Sequence, residues 1–181
     1  MQITNYNYKN YKGGIQNWGI TVSPGQILYS SNNNGLLRYN GNDWTLLEPG
    51  ERSTVRTVRC IGDRIYTAGD NNIGYWQYDV NGKINYTSLL PLVNKLGIKG
   101  ETFWSIAETE GKVYFHSFGN IIWYDSKDMG YLPAGLPYDI FIIGNPKHEF
   151  SFSIHEDCIL AEVFQLITAN LHESTTALLR K

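Results

Sequence analysis

The sequence predicts an all-β fold, and three observations carry that prediction. Aromatic residues make up 14% of the 181 residues, with 13 Tyr and 5 Trp. Glycine is also frequent, with 18 copies, and aromatic strands joined by Gly-rich and Asn-rich turns are typical of sheet proteins. The third observation is a repeat, because one pattern of short strands returns three times along the chain. Four-stranded units at this spacing are typical of the blades of a β-propeller.

Each repeat contains an apolar residue followed by tyrosine, and then small or polar residues that lead into a second strand. The apolar-Tyr pairs are Leu28-Tyr29, Ile65-Tyr66 and Val113-Tyr114. A turn with glycine follows, and its clearest form is Asn40-Gly41, a strong signal for a hairpin with a type I′ turn. We expect the three tyrosines to occupy equivalent positions in successive radially arranged sheets.

A further strand precedes each of these segments, so that one unit has four strands. The predicted blades span residues 16–48, 54–89 and 102–132, and a partial fourth blade spans residues 138–155. The segment from Pro91 to Gly100 is an insertion that predicts a short helical turn or a loop. Since propellers need four or more blades to close, residues 1–155 predict an incomplete β-propeller. A β-sandwich with coincidental spacing is the alternative.

The pattern changes near the C-terminal end. Apolar residues from Ile159 to Leu171 follow the spacing of one face of a helix. Residues 156–181 therefore predict a C-terminal amphipathic helix that lies outside the blade pattern.

Charge and composition exclude several classes of partner. The net charge is -2 and the pI about 6.1, so nothing indicates binding to nucleic acid or to an anionic membrane. We expect no membrane span and no signal peptide, because the sequence has no long apolar run and no basic N-terminal start. Cys60 and Cys158 could form one disulfide, but two free thiols are the favoured interpretation.

The order of four motifs carries a family resemblance. They read NYKNYKGGIQNWGI, NNNGLLRYNGNDW, TVRTV and RIYTAGDNNIGYW. Over residues 5–125 the chain resembles the N-terminal blades of two-component regulator propeller proteins, most closely the large membrane-anchored regulators of Bacteroidetes. The resemblance implies a periplasmic ligand-sensing propeller. In that family a triple-tyrosine domain, a membrane helix and a LuxR-type or histidine kinase output follow, whereas this chain departs from the pattern after about Gly144.

One position in the first strand of each unit stands out. Trp18, Arg56 and Trp104 each lie two residues before a β-branched residue. Because the first strand of a propeller blade lines the central channel, we expect these side chains to converge. Two indole faces and a guanidinium fork suit a carbohydrate. The competing interpretation is that both tryptophans are core between blades and that Arg56 pairs with a carboxylate.

Other reactive residues predict no catalytic or metal site. The sequence lacks the motifs of hydrolases, nucleotide-binding proteins and zinc proteases. His148 and His155 are an odd number of residues apart and would point to opposite faces of a strand. Acidic residues such as Asp70 lie in or beside turns, where aspartate bonds local backbone donors. We expect no cofactor and no metal.

These observations predict part of the ligand-sensing propeller of a bacterial signal-transduction and transcription regulator. The expected ligand is an oligosaccharide or another small molecule, and the expected protein partners are the rest of the receptor or a second receptor subunit. A protein-interaction scaffold is the first alternative, since propellers bind partners on their flat faces. A glycan-active propeller enzyme is the second.

Overall fold

The computed structural model of the chain describes residues 4–50, 54–133, 153–155 and 158–160. Three four-stranded antiparallel sheets follow one another along the chain, and the strands of each sheet lie in sequence order. Each sheet corresponds to one predicted blade. The predicted propeller fold is therefore confirmed, with three blades in the part of the chain that is described.

Each blade consists of four consecutive strands. Blade 1 consists of β1 (Asn17–Val22), β2 (Leu28–Asn32), β3 (Gly35–Tyr39) and β4 (Trp44–Leu47). Blade 2 consists of β5 (Val55–Ile61), β6 (Arg64–Gly69), β7 (Asn72–Tyr78) and β8 (Ile84–Ser88). Blade 3 consists of β9 (Phe103–Thr109), β10 (Lys112–Ser117), β11 (Asn120–Tyr124) and β12 (Met129–Pro133).

The repeated tyrosines occupy equivalent positions in the second strand of each blade. Tyr29, Tyr66 and Tyr114 are all buried. Tyr29 belongs to the apolar core between blades 1 and 2, and its hydroxyl lies 3.0 Å from the hydroxyl of Tyr78 in blade 2. Tyr66 belongs to the larger core between blades 2 and 3, where its ring packs against Phe115. Burial of these aromatic residues is what holds neighbouring blades together.

The Asn40-Gly41 hairpin is present, but its turn is longer than predicted. Tyr39 pairs with Trp44, so four residues rather than two connect β3 and β4. Gly41 alone among the central residues has a positive φ, at 95°. The Asn40 side chain accepts hydrogen bonds from the backbone N–H groups of Asn42 and Asp43. These bonds stabilise the four-residue turn, which differs from the predicted type I′ turn.

Two short helices lie outside the sheets. The insertion after blade 2 contains α2 (Leu90–Lys95), which buries Val93 against the core and confirms the predicted helical turn. Helix α1 (Tyr8–Tyr11) precedes blade 1. The chain after α1 is held by the buried Asn32 side chain, which donates to the carbonyl oxygens of Gly14 and Gln16.

The first strands of the three blades, which we call the inner strands, lie side by side in the order β1, β5, β9. The Cys60 backbone N–H donates to Thr21 Oγ1 across the first junction, at 3.2 Å. Since side chains alternate along a strand, Ile20 and Val22 lie on the opposite face of β1, away from blade 2. Both are more than half exposed.

The predicted C-terminal helix, residues 156–181, is wrong near its beginning. Residues Cys158–Leu160 form a strand, β14, that pairs antiparallel with β13 (Ser153–His155). A run of Cys, Ile and Leu suits a strand as well as a helix, and pairing with β13 satisfies its backbone groups. The rest of the predicted helix, and most of the predicted fourth blade, lie outside the described residues. No helix within the described ranges is long and apolar enough to span a membrane.

Candidate ligand site at the inner strands

A β-bulge occurs at the same place in each inner strand. Between the paired residues of β1 and β2, Trp18 is one extra residue, and the register of the pairing shifts there. Arg56 is the extra residue between β5 and β6, and Trp104 is the extra residue between β9 and β10. A bulge turns a side chain out of the regular alternation of a strand. The three residues selected by sequence are therefore equivalent in the structure.

The three bulge side chains converge. The Arg56 guanidinium carbon lies 4.5 Å from the ring centre of Trp18 and 4.6 Å from that of Trp104. The two indole rings are 6.5 Å apart and nearly perpendicular, at 77°. Each blade thus contributes one side chain to a cation–π group in which the cation is held by two rings. We call this group, together with Asp70 and Phe118, the three-blade site.

Asp70 is the carboxylate partner of this group. Arg56 donates from Nε to Asp70 Oδ1 at 2.6 Å and from Nη2 to Oδ2 at 3.1 Å, which is a bidentate pair. Thr102 Oγ1 also donates to Asp70 Oδ1. The hydrogen bond and charge of Arg56 hold the pKa of Asp70 below its ordinary value. The prediction that Asp70 serves its local turn is therefore incomplete, because its carboxylate bonds Arg56 on a neighbouring strand.

The loop after β2 orients Trp18. Asn33 Oδ1 accepts a hydrogen bond from the Trp18 indole N–H at 2.7 Å. Asn33 belongs to the Asn-rich run whose preceding member, Asn32, holds the chain ahead of β1 through its own side chain. The polar residues that precede the hairpin in the sequence therefore fix both the entry to β1 and the ring of Trp18.

Phe118 is a site residue that sequence reasoning missed. Its ring centre lies 5.3 Å from that of Trp104, and the residue is 46% exposed. Trp18 is 38% exposed. The competing interpretation, in which both tryptophans are core, is thus correct about the Arg56–carboxylate pair but does not describe Trp18. The exposed aromatic residues of the site are therefore Trp18 and Phe118.

The three-blade site combines aromatic faces with a hydrogen-bonded ion pair. Arg56 and Asp70 neutralise each other, so the site has no strong preference for a charged ligand. Nη1 of Arg56 and the partly exposed Asp70 carboxylate offer a donor and an acceptor side by side. A carboxyl with a lowered pKa is ionised at neutral pH and is a poor general acid.

Elsewhere in the described residues we find no group of three or more His, Cys, Asp or Glu arranged to hold a metal ion. Cys60 is a free thiol, and burial raises its pKa, which keeps it protonated and unreactive. His155 lies in β13, whereas His148 and the side chain of Cys158 lie outside what the structure describes.

No protein-family model and no curated protein matches the sequence, but solved structures match the fold. The extracellular domain of the hybrid two-component system BT4673 from B. thetaiotaomicron superposes with a TM-score of 0.63 at 12% identity, over 83% of this chain and 21% of that one. For the corresponding domain of BT3049, from the same organism, the TM-score is 0.57 at 15% identity, over 78% and 21% of the two chains. The chain shares their fold.

The resemblance to the two-component regulator propeller family is thus confirmed at the level of the fold. The chain spans about a fifth of the length of these extracellular domains, at 21% in both comparisons. The matched region is therefore one segment of a larger architecture in those proteins.

Proposed function

We propose that this chain is a ligand-sensing segment of an extracytoplasmic regulator and that the three-blade site binds a neutral carbohydrate. The observation that carries the proposal is the convergence of Trp18, Arg56 and Trp104 from three separate bulges. The same bulge recurs in all three inner strands, and the three side chains meet at one point. The fold shared with extracellular domains of two-component systems supports a sensing role.

The geometry favours a sugar over other small molecules for two reasons. Exposed rings of Trp18 and Phe118 provide apolar faces on which the C–H side of a sugar ring can stack. The Arg56–Asp70 pair provides adjacent donors and an acceptor for vicinal hydroxyl groups, without a net charge. Periplasmic location and a receptor context follow from the same proposal.

Titration of the full chain with a panel of neutral oligosaccharides, followed by calorimetry, tests the site. We expect at least one member to bind, and Trp18→Ala to weaken its binding about tenfold because an exposed stacking face is lost. Tyr131→Ala is the matched control, since the exposure of Tyr131, 42%, is close to that of Trp18, 38%, but Tyr131 lies on the outer strand β12. Equal binding by the wild-type chain and Trp18→Ala, or no binding by any sugar, would refute the proposal.

A protein-interaction role is the second candidate, and the exposed face of blade 1 favours it. Ile20 is 66% exposed, and Val22 and Ile15 are also exposed on the same part of the chain. Exposed apolar residues that cluster mark interaction surfaces more often than scattered ones do. Ile20→Ser would abolish partner binding under this alternative and leave sugar binding unchanged.

A further inference from the structure

A cavity lies between blades 2 and 3, at the ends of the inner strands that are remote from the three-blade site. Its volume is about 300 Å³, at the lower limit of small-ligand sites, and it is open to solvent. Blade 2 contributes Arg64 and Ile61 to its wall, and blade 3 contributes Glu108, Val113 and Ser126. We call this cavity the seam pocket. It shares no residue with the three-blade site.

Arg64 is the cation of the seam pocket, and most of its hydrogen-bonding capacity is free. Its Nη1 donates to Ser126 Oγ across the junction at 2.9 Å and approaches the Tyr66 hydroxyl at 3.4 Å. Its guanidinium carbon stacks 4.4 Å from the ring centre of Tyr75. Among the described residues, Arg64 has no carboxylate within ion-pair distance. Nε and Nη2 therefore remain available for a bidentate contact with a ligand.

Ser126, which accepts the hydrogen bond from Arg64, has a backbone conformation that glycine usually adopts. The turn of residues 125–128 has the same closing hydrogen bond as the turn of residues 40–43 in blade 1. At the second position of these turns, Gly41 has φ 95° and Ser126 has φ 82°. A side chain is unfavourable in that region of backbone space, where glycine is the usual choice. The serine hydroxyl that replaces it is the group that orients Arg64 across the junction.

The opposite charge lies on the other wall of the pocket. Glu108 is exposed on β9, and it forms no ion pair with Arg64 in the described part of the chain. The second carboxylate of the pocket, Asp63, already accepts a hydrogen bond from Gln77 Nε2 at 2.6 Å. Ile61 and Val113 are apolar residues of the pocket wall, and Val113 is 5% exposed. The pocket thus presents a separated cation and anion with an apolar wall.

We propose that the seam pocket binds a small zwitterion, namely an α-amino acid with an apolar side chain. The ligand carboxylate would bind Arg64, its ammonium group would bind Glu108, and its side chain would pack on Ile61 and Val113. A purely anionic ligand fits less well, because the pocket wall carries two carboxylates and one guanidinium. This proposal does not rest on the proposed function of the three-blade site.

Calorimetric titration of the full chain with three matched compounds tests the chemistry. They are L-leucine, 4-methylpentanoate, which lacks the amino group, and 3-methylbutylamine, which lacks the carboxylate. We expect L-leucine to bind and each of the other two to bind at least about tenfold more weakly, because each loses one charge-assisted hydrogen-bonded contact. Equal binding of 4-methylpentanoate or of the amine would overturn the zwitterion assignment. So would the absence of L-leucine binding up to about 10 mM.

Variants locate the site. We expect Arg64→Gln and Glu108→Gln each to weaken L-leucine binding about tenfold. Lys112→Gln is the matched control, because Lys112 begins β10 as Arg64 begins β6, but its ammonium group stacks on Trp123 outside the pocket. If Arg64→Gln does not fold, Glu108→Gln at an exposed position decides the question. Loss of binding in Lys112→Gln equal to that in Glu108→Gln would place the ligand elsewhere.

Discussion

Gly69 positions the carboxylate of the three-blade site, because a residue without a side chain lets the backbone at Asp70 approach β5 closely. A Cβ atom at this position would overlap the carbonyl oxygen of Thr54, which accepts a hydrogen bond from the Asp70 backbone N–H. This close approach joins the entry of β5 to the end of β6. Asp70 is thereby held opposite Arg56.

We expect Gly69→Ala to destabilise the chain by about 1–3 kcal/mol, because backbone atoms must move to relieve the overlap. Urea unfolding monitored by fluorescence measures the change. Gly25→Ala is the control, since the nearest atom to a Cβ there is Ser23 Oγ at 3.9 Å, and we expect a change within about 0.5 kcal/mol. Similar stability of the two variants would contradict the close approach.

The charge of Asp70 makes a second prediction at the scale of the residue. Arg56 lowers the pKa of this carboxyl, so the pair stabilises the fold above the unfolded pKa of about 3.9, and the contribution is lost as pH falls through the folded pKa. Because the Asp70 side chain is 40% exposed, we expect less than about 1 kcal/mol at pH 7.

The measurement is the free energy of unfolding of wild type and Asp70→Asn at pH 7 and again in acid. The difference between the two chains should narrow at the lower pH. In a double-mutant cycle with Arg56→Met, the coupling energy between the two residues should also be smaller in acid than at pH 7. A difference that is constant with pH would mean that the ion pair adds nothing to stability.

At the scale of the element, β10 and the turn after it carry one buried and one exposed phenylalanine. Phe115 is fully buried in the core between blades 2 and 3, whereas Phe118 lies on the turn, half exposed beside Trp104. Two phenylalanines three residues apart thus differ only in their surroundings.

We expect Phe115→Ala to cost about 3–5 kcal/mol of stability, as large-to-small changes in a packed core do. For Phe118→Ala we expect a change within about 0.5 kcal/mol but a loss of sugar affinity. Thermal unfolding and calorimetry on the same two variants give both quantities. Loss of stability in Phe118→Ala comparable to that in Phe115→Ala would assign Phe118 to the core.

The sequence predicted the strands well because their signals are local. Alternation, the apolar-Tyr pairs and the Gly-containing turns all act within a few residues, and each blade boundary follows from them. The bulges could not be derived, because an extra residue is visible only once two strands are in register. The equal offsets of Trp18, Arg56 and Trp104 were the one available signal, and these three residues lie at equivalent bulges.

The contacts of Asp70 and Phe118 depend on tertiary structure. An aspartate after glycine at the end of a strand has the composition of an ordinary turn, and only the path of β5 shows that Arg56 lies opposite it. At Cys158–Leu160, three apolar residues fit a helical stripe and a strand equally, and pairing with β13 decided between them.

At the scale of the whole molecule, blade 2 is covered on both sides. Its inner strand β5 contacts β1 on one side and β9 on the other, while β1 leaves Ile20 exposed on its far face. Stability in stacked repeats depends on the interfaces that each unit makes with its neighbours.

We therefore expect backbone amides of β5 to exchange with solvent more slowly than those of β1. Hydrogen exchange followed by mass spectrometry on peptides from Asn17–Val22 and Val55–Ile61 measures the difference. The two strands have similar lengths and both pair with one strand of their own blade, so each serves as the reference for the other. Equal protection would mean that the three sheets open as one unit.

The guanidinium between two indoles has a mechanical consequence. Each of these three groups is attached to a different sheet, so their separations, 4.5 and 4.6 Å, depend directly on the tilt of one sheet against the next. A rotation of a few degrees at either junction would draw an indole off the cation. A molecule bound among these side chains would contact all three sheets and would therefore fix the angles at both junctions. Binding would then change the relative orientation of the three blades.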